Sequence, residues 1–505
     1  MKKVVRWEIL WYNNIVKNLR LKLEECKLRK TKIVCTIGPA SEKKEVLVKM
    51  IKAGMNVARI NFSHGNFEEQ KSKIEAVKAA REEAGLPVAL LLDTKGPEIR
   101  IGKFGQDKIV LEKGDDFTLV NEEILGNQKR VTVDYKDLYE DVEVGTSILI
   151  DDGAIELEVT SIKDKDIHCI VKNGGVVSSR KSANVPGLIL NLPSMTEKDK
   201  DDIKHGIEAG FDFIAASFIR KPQDVLNIRE FLKENGGEDI KIISKIENRE
   251  GIDNFCEILK VSDGIMVARG DLGVEIPMEE VPIVQKRFIK SCYRAGKPVI
   301  TATQMLESMI NNPRPTRAEV SDIANAVFDV TGAIMLSAES ATGKYPVQCV
   351  KTMDKIATAV ENSIHYWRRF TRRNYDLKEM GHECNMNYTV CTTAMNMEAN
   401  AIFAYTNTGN TARILSSFSP ECPIYAITEN EITYRQLALS WNVYPKLFDH
   451  QETIDELLTL GMSRVQKEGN VKPGDTVVIA GGPRVVPTHK DKDTINRVIG
   501  GVFKI

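Results

Sequence analysis

Lys245 and Glu247 alternate along one short aliphatic run, so on a β-strand they share a face; the next such run ends in Ala268-Arg269-Gly270-Asp271. Carboxylates from two neighbouring strands suit a divalent cation. Mg²⁺ prefers oxygen ligands and commonly takes one or two protein carboxylates together with water and substrate phosphate oxygens. An ammonium beside that ion offsets the charge that develops on a transferring phosphoryl group or an enolate. The pattern reads as a phosphoryl-transfer centre, with Glu247 and Asp271 as metal ligands and Lys245 as the cation. A structural Lys-Glu pair inside a folded core is the plainer alternative.

Three further clusters carry anion-binding or proton-bearing groups. Arg59-Ile60-Asn61-Phe62-Ser63-His64-Gly65 places a guanidinium, an amide, a hydroxyl and an imidazole just past another aliphatic run. Arginine matches phosphate with a fork of parallel donors, whereas His64 alone is more simply a hydrogen-bonded surface histidine. Leu92-Asp93-Thr94-Lys95-Gly96-Pro97-Glu98-Ile99-Arg100 concentrates charge around a Gly-Pro turn. Asp93 and Thr94 offer oxygens to a second cation, or the run is a solvated hinge. Thr303 ends a third run, where its hydroxyl can bond a substrate carboxylate, take part in a proton relay or cap a helix. It is too weak an acid to act alone, so a water chain is expected to share that task.

Parallel strands are the elements that would hold such groups. Eight aliphatic runs alternate with amphipathic stretches: Lys32–Ile37, Val57–Asn61, Val88–Thr94, Phe213–Ser217, Ile240–Glu247, Gly264–Ala268, Val299–Thr303 and Ala333–Ser337. Eight closes a (β/α)8 TIM barrel, an α/β fold whose active site forms at the C-terminal strand ends. Polar residues gather at those ends, Ser217, Arg269, Ser337 and Glu339 among them. Helices are expected to stop at Ala53-Gly54, Ala84-Gly85, Ala209-Gly210 and Ala295-Gly296, to start at Pro222 and Pro346, and to be capped by Ser41 or Ser194.

The barrel is expected to comprise residues 31–97 and 194–362. Residues 98–193 switch to alternating β patterns (Lys108–Leu111, Thr146–Ile150, Ile155–Thr160), read as an inserted small β-barrel domain serving as a lid that excludes water. Runs at Ala401–Tyr405, Ile424–Ile427 and Thr476–Ala480 mark residues 363–505 as a C-terminal α/β regulatory domain. Residues 1–30 are locally basic and read as a short N-terminal helix packing Trp7, Trp11 and Ile15; Glu8, Asn13 and Asn14 interrupt any secretory signal.

Composition narrows the partners. A chain of 505 residues, 42% hydrophobic and 28% charged, needs more than one core. Its net charge of -1 supplies no field for nucleic acid or an anionic membrane, and no run approaches the roughly 18 apolar residues of a spanning helix. Small-molecule substrates are expected. Nine cysteines without a CxxC pair argue against a disulfide framework or a thiolate zinc site, and a cytoplasmic location is expected.

Six ordered blocks resemble pyruvate kinase: TKIVCTIGPAS from Thr31, NVARINFSHG from Asn56, LLDTKGPEIR from Leu91, ISKIEN from Ile243, MVARGDLGVEIP from Met266 and ATQMLESM from Ala302. The resemblance runs over essentially the whole chain after residue 30. It implies transfer of the phosphoryl group of phosphoenolpyruvate to ADP, giving ATP and an enolate that is protonated to pyruvate, the final step of glycolysis. By the same resemblance, Arg59 and Lys245 bind the phosphoryl group and Lys245 stabilises the transition state. Glu247 and Asp271 hold Mg²⁺ or Mn²⁺. The amides of Gly270 and Asp271, with Thr303, hold the substrate carboxylate. Asn61, Phe62, Ser63, His64, Arg100 and Lys181 contact ADP or ATP, while Asn61, Ser63, Asp93 and Thr94 ligate K⁺.

Glu98 stands where potassium-independent relatives have lysine, so activation by K⁺ is expected. Thr406-Asn407-Thr408-Gly409-Asn410-Thr411 corresponds to a loop that binds a sugar-phosphate effector in relatives, and free amides at a helix start favour phosphate. A homotetramer is implied. The run SAESATG from Ser337 departs slightly from the family pattern, and no added phosphotransfer domain is expected after Ile505. Two rivals share parts of this chemistry. Barrel lyases and mutases that use phosphoenolpyruvate lack a β insert at this point, and a metabolite sensor without activity needs no phosphoryl-transfer set.

Overall fold

Every residue of Lys32–Thr36, Ala89–Asp93, Phe213–Ala216, Gly264–Ala268, Val299–Ala302 and Ala333–Leu336 is buried. Strands covered by side chains on one face and helices on the other require this. The computed structural model describes residues 28–481 and 499–504, apart from 64, 66, 374, 376–379 and 452. The expected N-terminal helix therefore lies largely outside the described residues.

Eight parallel strands close in chain order: β1 (Lys32–Thr36), β2 (Val57–Asn61), β3 (Ala89–Asp93), β4 (Phe213–Ala216), β5 (Lys241–Ile246), β6 (Gly264–Ala268), β7 (Val299–Ala302) and β8 (Ala333–Leu336), with β8 pairing back to β1. Val34, Leu91, Ile243, Met266 and Met335 fill the interior, and a larger aliphatic layer separates the strands from the helices. Glycines 54, 85, 210 and 296 follow their helices with φ of 116°, 63°, 67° and 68°, the left-handed stop expected of them.

Two local expectations are corrected. Six strands end one residue early, leaving Ile37, Thr94, Ser217, Glu247, Thr303 and Ser337 just beyond the ladder. There the backbone must leave the sheet, and Phe218 and Thr303 do so with φ of 55° and 69°. Neither proposed serine caps its helix. Ser41 Oγ instead accepts from the Gly38 amide at 3.2 Å. Thr196, not Ser194, caps Glu197–Glu208 in a reciprocal box with Asp199, and Ser194 Oγ accepts from Asn227 Nδ2 at 3.1 Å.

Between β3 and β4, Lys108–Leu111 pairs with Gly175–Ser178, and a six-stranded sheet runs from Ala183–Asn184 to Arg130–Thr132. Phe117, Leu119, Ile148 and Leu157 form their own core. The last region is a five-stranded sheet: β9 (Ala401–Tyr405), β10 (Ile424–Thr428), β11 (Val443–Leu447), β12 (Thr476–Gly481) and β13 (Ile499–Lys504), in the order β11-β10-β9-β12-β13 with only β13 antiparallel.

This sheet's connections seal the barrel floor. Leu439 packs into the interior cluster. Arg435 Nε donates at 2.8 Å to Asp212, a residue with no exposed surface whose other oxygen accepts from the Leu90 amide at 2.9 Å. Lys32 Nζ donates to the Val443 carbonyl at 2.7 Å.

Candidate active site

Because β5 alternates, Lys245 points inward at the barrel mouth, where its ammonium lies 2.9 Å from Glu247 Oε1, 3.2 Å from Asp93 Oδ1 and 2.8 Å from Ser217 Oγ. Asp93 bridges two cations, for its other oxygen is 2.5 Å from Arg59 Nε. Arg59 is further fixed by Thr36 Oγ1 at 2.8 Å. Three strands thus place two cations and two carboxylates around one small volume, and Asp271 adds a third carboxylate from the start of Arg269–Glu275.

The electrostatics follow from burial. Desolvation pulls the Lys245 ammonium down, but the facing Asp93, Glu247 and Asp271 carboxylates outweigh it and hold the group charged. Burial pushes the Glu247 carboxyl up, with Asp271 adding to the push and Lys245 opposing it. Asp93 behaves oppositely: despite its burial, Arg59 and Lys245 hold it below the usual carboxylate range. Glu247 and Asp271 repel one another, and a divalent cation between them would relieve that repulsion. Two carboxylates suit an oxygen-seeking ion that completes its shell with substrate and water.

Thr303 closes the opposite side. Its hydroxyl accepts from the Gly270 amide at 2.9 Å and donates to the Ala302 carbonyl at 2.6 Å. A β-branched residue at φ 69° is strained, and the Arg269 guanidinium clamps it by donating to the Thr303 carbonyl at 2.5 Å. Asp322 anchors Arg269 in turn at 2.7 and 2.8 Å. Asp322, Thr36 and the contact made by Ser217 were not legible beforehand; all three are tertiary partners of residues that were.

The remaining predicted residues divide. Asn61 Oδ1 accepts from the Ser63 amide at 3.0 Å, and Asn61 faces Asp93 in the β2-β3 register. Thr94 Oγ1 accepts from the Ser217 amide at 3.1 Å. Phe62 is 1% exposed and packs against Phe211, which leaves only its main chain for a ligand. His64 lies outside the described residues. Arg100 and Lys181 belong to the inserted domain: Arg100 forks onto Glu98 at 2.6 and 2.9 Å, and Lys181 pairs with Asp151 at 2.8 Å. Pro97, Glu98, Asp152 and Asp271 line one cleft between insert and barrel, so the insert stands over the mouth.

The loop from Thr406 to Thr411 lies in the C-terminal sheet region, away from this site. It joins β9 to the helix Asn410–Ser417, with Gly409 at φ 82° as its cap. Thr433 Oγ1 donates to the Asn407 carbonyl at 2.7 Å, Arg413 donates to that of Thr408 at 2.8 Å, and Asn410 Nδ2 reaches Glu383 at 2.8 Å. Thr406 is buried and Thr411 partly so.

Comparison with known proteins agrees with this arrangement. The family model described as pyruvate kinase, barrel domain, matches residues 28–350, and that for the pyruvate kinase alpha/beta domain matches residues 385–496. A pyruvate kinase of Clostridium acetobutylicum is 51% identical over 463 residues, covering 92% of this chain and 97% of that protein. One from Bacillus licheniformis is 50% identical over 90% of this chain and 78% of its own length, and one from Geobacillus stearothermophilus is 49% identical over 91% and 78%. With barrel, α/β domain and most of its length matched, the chain belongs to the pyruvate kinase family of phosphotransferases.

Proposed function

We propose that the family's reaction, phosphoryl transfer from phosphoenolpyruvate to ADP giving pyruvate and ATP in glycolysis, is carried out by the cluster around Lys245. The observation that carries this reading is a buried ammonium 2.9 Å from one carboxylate and 3.2 Å from another, beside a guanidinium anchored to the second. Arg59 and Lys245 bind the transferring group, and Lys245 stabilises the charge that grows on its oxygens. Glu247 and Asp271 hold Mg²⁺ or Mn²⁺, which when bound supplies positive charge to phosphoryl and enolate oxygens.

Thr303, with the amides of Gly270 and Asp271, orients the substrate carboxylate and sits at the end of the proton path. Its hydroxyl already bonds the Gly270 amide, which supports a shared anion pocket. Asn61 to His64, Arg100 and Lys181 contact the nucleotide, the insert closing as a lid to exclude water. Asn61, Ser63, Asp93 and Thr94 ligate K⁺. The loop from Thr406 to Thr411 takes a sugar-phosphate effector, residues 363–505 act as the regulatory unit, and the enzyme works as a cytoplasmic homotetramer. No helix among the described residues is long and apolar enough to cross a membrane.

A coupled assay tests the reading. Pyruvate should form from phosphoenolpyruvate only when ADP, Mg²⁺ and K⁺ are all present; carbon-carbon cleavage without ADP dependence would favour the barrel lyases, and no turnover would favour a sensor.

A further inference from the structure

A wide cavity lies away from the barrel mouth. It has a volume of about 1180 Å³ and lies at the other end of the strands, where Phe213, Lys241 and Asp263 beside the floor of β4 to β6 meet the helix Asn410–Ser417. Its charge is one-sided. Lys241, Arg294, Lys297, Arg372, Arg373 and Arg413 all line it, and none forms an ion pair among the described residues. The acid on the wall, Asp263, is already held by Arg229 at 2.9 Å.

Two of these cations are pre-positioned. Arg413 is largely enclosed and donates to the Thr408 carbonyl at 2.8 Å; burial disfavours its charge, and Asp263 opposes that only in part. The Arg373 guanidinium lies 4.3 Å from the centre of the Tyr293 ring and 4.7 Å from that of Tyr375, which fixes its plane. Arg373 Nη1 also donates to the Ser417 carbonyl at 3.1 Å, and a guanidinium held flat without a carboxylate partner keeps further donors suited to phosphate oxygens. Ile414, Phe418 and Leu439 add an apolar lining.

We infer that this cleft between the barrel floor and the C-terminal domain is a second anion site, which takes a phosphorylated organic metabolite. A lone orthophosphate would fill a small part of the space and leave most of the cations unmatched; a multiply charged phosphate carrying an organic body uses both the arginines and the apolar wall. The site is separate from the loop of residues 406–411, of which only Asn410 reaches the cavity. Because its walls come from both domains, an occupant would bridge them, and Arg413 ties the cleft to the Thr408 carbonyl.

Cys384 provides a local reporter, since this partly exposed free thiol lines the cavity while Cys256 is exposed outside it. The native enzyme is treated with iodoacetamide with and without inorganic tripolyphosphate, and alkylation at each cysteine is followed by peptide mass spectrometry. At a probe concentration ten times its dissociation constant, labelling of Cys384 should slow roughly tenfold while Cys256 is unaffected. The protection should fade with added salt, vanish in Arg294→Glu/Arg372→Glu, and persist in Lys245→Met, which impairs only the barrel mouth. Unchanged labelling of Cys384, protection that survives the double charge reversal or is lost in Lys245→Met, or a Cys384 that stays unreactive while Cys256 reacts would each overturn the assignment.

Discussion

Asp93 is the residue on which the candidate site turns, because a single carboxylate 1% exposed holds Arg59 with one oxygen and Lys245 with the other. Its removal would take one partner from each cation, leaving Lys245 to Glu247 and Ser217 and Arg59 to Thr36. Glu98 stands nearby in sequence, locked to Arg100 by two hydrogen bonds at the start of the insert. If a K⁺ ion supplies positive charge at the nucleotide side, an ammonium delivered by the chain should replace it. Exchange of K⁺ for tetramethylammonium should lower wild-type kcat by more than about tenfold, equivalent to about 1.4 kcal/mol of transition-state stabilisation. Glu98→Lys should show nearly equal rates in both salts. Equal wild-type rates in the two salts would remove K⁺ from the account.

At the scale of elements, the turn after β3 couples the insert to the reacting cluster. Gly96 has φ 71°, and a Cβ there would lie 2.8 Å from Ser217 Cβ and 3.0 Å from the Phe218 ring. Its amide is also pinned by Asp199 at 3.0 Å, the acid of the Thr196 capping box. Gly96→Ala should push Ser217 away from Lys245 and cost about 1–3 kcal/mol in stability. The measured result should be a lower melting temperature together with a kcat decrease larger than the change in KM. A variant with wild-type kcat would uncouple turn from site.

The same elements show what was legible beforehand. Aliphatic runs bounded by Ala-Gly stops located all eight barrel strands, because burial on both faces leaves a signal within a few residues. Caps were harder: Ser41, Ser194 and Thr196 are alike in type, and only Thr196 has Asp199 placed to complete a reciprocal box. The site's acids and cations were legible as strand-end residues. Their partners were not, since Asp322 reaches Arg269 across 53 positions and Thr36 reaches Arg59 from a neighbouring strand, choices made by the closed barrel rather than by local pattern.

At the scale of the molecule, the C-terminal domain plugs the barrel floor, and Lys32 marks the contact. Burial first, then Arg29, lowers its pKa from 10.5 to about 7, even though Nζ lies 4.6 Å from the Tyr444 ring centre. Between those values the unfolded chain binds more protons than the folded one, so this group's contribution to stability rises with pH. Relative to wild type, Lys32→Met should be most favourable near pH 7 and lose ground as pH approaches about 10, read from paired melting temperatures. A difference independent of pH would show that Lys32 stays charged in the fold.

What the barrel accomplishes overall is convergence: β2, β3 and β5 and the helix after β6 bring Arg59, Asp93, Lys245, Glu247 and Asp271 to one place. The most direct test is the turnover of Lys245→Met in ADP-dependent pyruvate formation, with its fold checked by circular dichroism. The predicted result is a kcat lower by about 10²–10³ in a folded enzyme. A folded Lys245→Met that turns over at the wild-type rate would contradict the account.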